Sequence, residues 1–226
     1  MPDAESLPEA GATEGSDVAV APGAAPVRKR PKPGERRVQI LQALAAMLEQ
    51  PGAERITTAA LAARLDVSEA ALYRHFASKA QMFEGLIEFI EQTVFTLVNQ
   101  ITEREGGDAT ATPADTRHAS RVIGMLIQFA EKNPGMTRVM VGDALVFENE
   151  RLQARMNQFF DKIESILKNS LRDVAARNGS GSPTVDAQVS ASVLTAFVVG
   201  RMQRCARSGF KRLPSEHLDA CLAQIL

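Results

Sequence analysis

The sequence predicts an all-α protein with a three-helix N-terminal helix-turn-helix head and a larger helical C-terminal body. Apolar side chains recur every three or four residues over most of the chain after residue 34, which is the spacing of amphipathic helices. Trp is absent and Tyr occurs once, the helix formers Ala and Leu are abundant, and alternating strand-like segments are scarce. The chain has 226 residues, of which 45% are hydrophobic, and this is enough for a sizeable core.

Residues 1–33 are predicted to form a disordered N-terminal extension. Residues 1–27 contain five acidic side chains, no Lys or Arg and few large apolar groups, so burial cannot offset the entropy lost on ordering. A basic run follows, made of Arg28, Lys29, Arg30, Lys32, Arg36 and Arg37. Two interpretations stay open for this run: a solvated linker, or an arm that contacts the DNA backbone or minor groove.

The head, residues 34–80, is expected to contain three helices. They are predicted to cover residues 35–50, 58–64 and 69–75. Pro51-Gly52 should end the first helix, while Thr57 and Ser68 can cap the second and the third. A turn at 65–67 joins two short helices, as in a helix-turn-helix whose second helix enters the major groove.

Positive charge is concentrated in the same part of the chain. Residues 28–80 hold ten Lys and Arg against five Asp and Glu, whereas residues 81–226 hold sixteen against seventeen. Such a basic segment is the electrostatic footprint of phosphate binding, although the formal net charge of the whole chain is only -1. This charge distribution favours a DNA-binding helix-turn-helix over a pair of short helices without a DNA-binding role.

The outer face of the head offers side chains suited to DNA. Arg74 can reach guanine or phosphate, Tyr73 can place its hydroxyl on phosphate, and Lys79 supplies a point charge to the backbone. Thr57 and Thr58 lie at a helix N-terminus, which favours phosphate oxygen. Base contacts are expected to begin where the third helix opens, at Ser68, Glu69 and Ala70.

The body, residues 81–226, is predicted to be the dimerisation and partner-binding domain. Its first helix starts at a capping box, Ser78 to Gln81, and ends near residue 105, and it has two apolar stripes that suit a joint between head and body. Five further helices are expected at residues 113–132, 136–141, 146–177, 184–208 and 214–224. An apolar stripe on the helix at 146–177 and a small-residue face on the next predict a homodimer through a four-helix bundle.

The head motif resembles the DNA reader of the TetR family. Residues 57–79 read TTAALAARLDVSEAALYRHFASK. The resemblance implies a dimer that binds palindromic double-stranded DNA. It assigns DNA contacts to Thr57, Thr58, Ser68, Tyr73, Arg74, His75 and Lys79.

Further segments resemble the nucleoid occlusion factors within that family. They lie at residues 68–76, 86–91, 133–135, 144–148 and 151–153, and the similarity extends over most of residues 35–212. The resemblance implies binding to chromosomal sites and inhibition of FtsZ, the tubulin-like division protein, with FtsZ contacts at Phe89, Lys132 and Asn133. Leu97 and Gln128 depart from the pattern, which has a basic residue and Gly there.

Two other classes of function stay in view, a ligand-responsive TetR-type repressor and an enzyme. A repressor needs a pocket with convergent polar groups, whereas the apolar density of the helices at 113–132 and 146–177 favours a filled body. An enzyme is not expected, because no P-loop, dinucleotide-binding glycine pattern or nucleophile elbow occurs.

No cofactor, metal or membrane span is expected. His75, His118 and His217 lack metal-ligand spacing, and Cys205 and Cys221 fit neither a metal site nor a disulfide framework. The sequence has no run of about 18 apolar residues and no basic-then-apolar leader. These observations predict a cytoplasmic, nucleoid-associated protein.

Overall fold

The computed structural model describes residues 34–50, 56–106 and 116–226. Within these ranges the ordered elements are helices, with no strand, which confirms the all-α prediction. Four predicted features lie outside the described residues: the N-terminal extension, the basic residues at 28–32, the Pro51-Gly52 stop and the start of the helix predicted at 113.

The head consists of α1 (Glu35–Leu48), α2 (Thr58–Arg64) and α3 (Glu69–Tyr73). The bounds of α2 are those predicted. Both α1 and α3 end two residues earlier than predicted, and the chain leaves α3 through a tight turn in which the N–H of His75 bonds to the carbonyl of Leu72. The core of the head is formed by the buried side chains of Ile40, Leu44, Leu48, Leu61, Leu72 and Phe76.

The long helix α4 (Lys79–Gly106) leaves the head and runs into the body. The Ser78 hydroxyl accepts the N–H of Gln81 at 3.2 Å, and the Gln81 side chain accepts the N–H of Ala77 at 2.8 Å. The capping box therefore closes on the residue before the cap rather than on the cap itself. α4 packs against α1, α5, α6 and α7, so one helix contacts both parts of the fold.

The body continues through α5 (Arg117–Lys132), α6 (Pro134–Met140), a 3-10 turn (Asp143–Leu145), α7 (Glu150–Arg177), α8 (Pro183–Arg207) and α9 (Leu218–Ile225). The prediction that α7 starts at residue 146 was wrong by four residues, because the Asn149 side chain accepts the N–H of Arg151 and caps the helix there. α9 also starts four residues later than predicted, and α6 two residues earlier, with Pro134 in its first turn.

Apolar side chains fill the space between α4, α5 and α7. Phe159 is fully buried, and its ring centroid lies 5.5 Å from that of Phe95 and 5.1 Å from that of Phe160. The other large buried side chains here are Ile90, Val94, Ile123, Leu126, Ile127, Leu152, Met156 and Ile163. α7 and α8 pack along each other and extend this core.

α6 approaches the backbone of α1 very closely at Gly135. A Cβ atom at this position would lie 2.0 Å from the carbonyl oxygen of Ala45, so only glycine allows the approach. The next turn of α6 is fixed by Thr137, whose hydroxyl donates to the carbonyl of Ala130 at 2.8 Å. The contact attaches the body directly to the first helix of the head.

Candidate nucleic-acid interface

The two helices of the helix-turn-helix each begin at a hydroxyl cap. The Thr57 hydroxyl accepts the N–H of Ala60 at 3.1 Å, and the Ser68 hydroxyl accepts the N–H of Ala71 at 3.3 Å. Both side chains are exposed, and each hydroxyl still has its hydrogen to donate. The same residues can therefore cap their helices and donate to a phosphate oxygen.

A short hydrogen bond joins the starts of α2 and α3. The Thr58 hydroxyl donates to a carboxylate oxygen of Glu69 at 2.6 Å. Glu69 lies in the first turn of α3 and is exposed, as is Ala70 beside it. The bond orients the acidic side chain at the end of α3 from which a recognition helix reads bases.

Three predicted contacts are consecutive and exposed at the other end of α3, namely Tyr73, Arg74 and His75. Arg37 of α1 supports this segment. Its guanidinium donates to the carbonyl of His75 at 3.1 Å and lies 4.2 Å from the ring centroid of Phe76. In the sequence Arg37 is only one member of a basic run, and no local pattern indicates that it reaches a residue 38 positions away.

Lys79, the predicted contact at the start of α4, is held by the body. Its ammonium donates to the carboxylate of Glu148, between the 3-10 turn and α7, and lies 5.7 Å from the ring centroid of Phe83. The Lys79 side chain is 27% exposed and that of Glu148 only 11%. The sequence showed Glu148 only as part of the family-like segment at residues 144–148, and it did not indicate the contact with Lys79.

The residues predicted to contact a protein partner lie on two neighbouring helices. Phe89 of α4 is 46% exposed although Leu86 and Ile90 beside it are buried, and Lys132 at the end of α5 is exposed. The third predicted contact, Asn133, is less exposed than a partner-binding side chain at a helix end would be. Its side chain is half-buried, and its amide donates to the carbonyl of Phe129 at 2.8 Å, which closes the end of α5.

The described residues contain no group of three or more His, Cys, Asp or Glu that could hold a metal ion. Cys205 is buried, and this burial, with a smaller effect of Glu131, raises the pKa of its thiol. Among the helices that the structure describes, none is long and apolar enough to span a bilayer.

A helix-turn-helix head joined by one long helix to a helical body defines a TetR-type regulator. Residues 40–86 match the family described as bacterial regulatory proteins, tetR family, and residues 116–225 match the SlmA-like tetracyclin repressor-like C-terminal domain. Relatives described as nucleoid occlusion factor SlmA cover most of the chain, and two of them show the extent of the match. The one from Idiomarina loihiensis is 51% identical over 185 residues, 82% of this chain and 90% of the relative. The one from Vibrio cholerae is 50% identical over 186 residues, 81% of this chain and 90% of the relative. The chain belongs to the SlmA family of nucleoid occlusion factors.

Solved structures agree on the fold. The fatty acid degradation regulator FadR from Bacillus halodurans has a TM-score of 0.66 at 14% identity, over 86% of this chain and 96% of its own. FadR from Bacillus subtilis, solved with stearoyl-CoA, has a TM-score of 0.63 at 15% identity, over 83% of this chain and 96% of its own. At such low identity these similarities bear on the TetR-type fold alone.

Proposed function

We propose that the chain binds palindromic sites in double-stranded chromosomal DNA as a homodimer and, from those sites, prevents FtsZ from assembling a division ring over the nucleoid. In this proposal residues 34–80 form the DNA-binding head, and residues 81–226 form the dimerisation and partner-binding body. The observation that carries it is identity with nucleoid occlusion factors at about half of the aligned positions, and the alignment extends across both parts. The two FadR regulators, which share only the fold, are far less similar, at 14–15% identity.

DNA binding is supported by the arrangement of the exposed polar groups on the head. Hydroxyl donors at Thr57 and Ser68 lie at helix starts, where phosphate oxygens are favoured. Tyr73 and Arg74 are exposed at the end of α3, which in a helix-turn-helix is the helix that enters the major groove. Phosphate contacts then set the position of the head, and base contacts set its sequence preference.

The apolar stripe predicted on α7 does not remain for a second copy, because side chains such as Phe159 and Ile163 are buried within the chain. The homodimer is supported instead by an apolar stripe on α8 that the chain leaves exposed. Val185, Val189 and Val193 recur every four residues and are 60%, 58% and 48% exposed. A row of exposed apolar side chains on a helix marks a protein interface, and two-fold packing of α7 and α8 with a second copy would cover it. A two-fold dimer presents two heads, as a palindromic site requires.

The FtsZ surface is proposed at the exposed side chains of Phe89 and Lys132. α4 and α5 pack on each other, so the surface combines an aromatic ring with a basic group on adjacent helices. Such a pair suits an acidic, partly apolar peptide, which is the character of the tail of FtsZ. Asn133 contributes to this surface mainly indirectly, because its amide closes the end of α5.

The test is capture of FtsZ by protein loaded on its operator DNA. We expect the wild type to retain FtsZ, and Phe89→Ala and Lys132→Glu to bind DNA normally but lose FtsZ. Lys211→Glu, the same charge reversal at an exposed position after α8, is the matched control and should retain FtsZ. Asn133→Ala needs a thermal melt beside it, because loss of its bond to Phe129 can disturb the end of α5.

The alternative, a ligand-responsive repressor of a nearby operon, predicts different outcomes. Wild-type protein on DNA would fail to retain FtsZ, and mapping of its binding across the chromosome would show one promoter rather than many scattered sites. The filled interior around Phe159 offers no support for an effector pocket. Failure of capture together with a single bound promoter would therefore replace the division role with the repressor role.

A further inference from the structure

One ion pair connects the candidate DNA interface to the body. Lys79 opens α4 at the edge of the head, and Glu148, 69 positions later, lies between the 3-10 turn and α7. The two side chains differ in exposure: the side chain of Lys79 is 27% exposed, and that of Glu148 is 11% exposed. The carboxylate is thus enclosed by the body, while the lysine is open on one side.

Burial makes this pair difficult to break. A carboxylate removed from water without a cationic partner is strongly disfavoured, so Glu148 requires the ammonium of Lys79. An ammonium has three N–H donors, and the bond to Glu148 uses one, so the accessible side of Lys79 can still meet a phosphate oxygen. However, a phosphate that approaches the pair meets a cation and an anion together, and the net attraction is small.

We infer that Glu148 is a positioning residue of the DNA interface. It fixes the ammonium of Lys79 at the start of α4, attaches that end of the helix to the body, and cancels most of the charge that Lys79 would present to the DNA backbone. A residue of the body thereby lowers the affinity of the head for phosphate. The inference rests on the proposed binding of DNA by the head.

A second ion pair on the same helix provides the matched comparison. Arg155 of α7 donates two hydrogen bonds to Glu91 of α4, at 2.6 and 3.2 Å, and these bonds raise the pKa of the guanidinium above its ordinary value. Glu91 lies twelve residues after Lys79, or about 18 Å along the helix. It also joins α4 to α7, but it is far from the head.

The experiment compares Glu148→Gln with Glu91→Gln in the full-length protein. Each substitution keeps an acceptor oxygen and removes one negative charge, so the change in net charge is the same. We expect Glu148→Gln to free the charge of Lys79 and to increase the slope of log affinity against log salt by up to about 0.9. Between about 50 and about 200 mM salt, its loss of operator affinity should then be roughly three- to fourfold greater than that of wild type. Glu91→Gln should match wild type.

Two results would overturn the inference. If both variants steepen the salt dependence equally, only net charge matters; if Glu148→Gln binds more weakly with an unchanged slope, Glu148 does not compete with phosphate. Thermal melts identify a variant that fails to fold, and Lys79→Met combined with Glu148→Leu then removes both charges together. That double variant should keep a salt slope close to that of wild type, and a slope lower by a full phosphate contact would contradict the inference. If the wild type does not bind DNA, the proposed function fails instead.

Discussion

The outer face of the head and the outer face of α8 both carry exposed side chains, but the side chains on the two faces differ in polarity. On the head, the exposed groups are hydroxyls, a carboxylate and a guanidinium, and the carboxylate of Glu69 accepts a short hydrogen bond from Thr58. On α8, the exposed row consists of Val185, Val189 and Val193, which have no polar group to offer. The first surface suits a charged, hydrated ligand, and the second suits another protein surface that excludes water.

The largest expected effect comes from disrupting the α8 surface. Val189→Glu places a charge in the centre of the valine stripe, and burying it between two copies is strongly unfavourable. We expect monomers by light scattering and a loss of operator affinity of at least about a hundredfold, because the two heads no longer bind as one unit.

Gln100→Glu, at an exposed position on α4, is the charge-matched control for this change. It should stay dimeric and bind the operator as the wild type does. A Val189→Glu protein that remains dimeric would show that the interface lies elsewhere.

The second effect concerns the junction of head and body, where Gly135 of α6 touches the backbone of α1. Gly135→Ala forces the two helices apart, since a Cβ would lie 2.0 Å from the Ala45 carbonyl oxygen. We expect the free energy of unfolding, measured in urea, to fall by about 1–3 kcal/mol or more. Gly124→Ala is the control, because open space surrounds that position of α5 and alanine favours a helix by about 0.5–1 kcal/mol. Equal stability of the two variants would contradict the close contact.

The features that the sequence predicted well are those determined by neighbouring residues. The caps at Thr57 and Ser68 lie where they were expected, because a cap depends only on the next three residues. Helical periodicity gave the order and type of the elements for the same reason, and a distinctive motif in the head allowed the family to be recognised. The late start of α7 was missed because the Asn149 cap follows a 3-10 turn that has no periodic signal.

The features that the sequence did not predict depend on distant residues. Arg37 reaches His75, Lys79 reaches Glu148, and Gly135 touches Ala45, and each pair is separated by dozens of positions. A single sequence shows that an arginine or a glycine is present, but the packing of helices decides what it contacts. The predicted contacts with DNA and FtsZ stay predictions. The structure shows which neighbouring residues hold these side chains, and substitutions of those neighbours make the predictions testable.

A smaller effect tests whether Arg37 supports the end of α3 or contributes only its charge. Arg37→Ala removes the bond to the His75 carbonyl and the contact with the Phe76 ring, each worth roughly 0.5–1 kcal/mol at an exposed site. We expect operator affinity to fall about three- to tenfold, with less change for non-specific DNA. Arg36→Ala removes the same charge one residue earlier, where the side chain bonds to Gln39 within α1. If both variants lose the same affinity for both kinds of DNA, Arg37 contributes charge and no support.

The smallest effect is expected at Glu69, where the change concerns base preference more than affinity. A carboxylate only accepts hydrogen bonds, so in the major groove it suits the amino group of cytosine, whereas an amide suits adenine. Glu69→Gln keeps an acceptor for the Thr58 hydroxyl, so α2 and α3 should remain joined. We expect operator affinity to change only a few-fold, and the preference at one base pair in each half-site to shift by about 1 kcal/mol in selections from randomised operators. Thr58→Val, which breaks the bond but keeps the carboxylate, should weaken binding without altering that preference. If the base preference of Glu69→Gln is unchanged, Glu69 serves only to link α2 and α3 and does not contact a base.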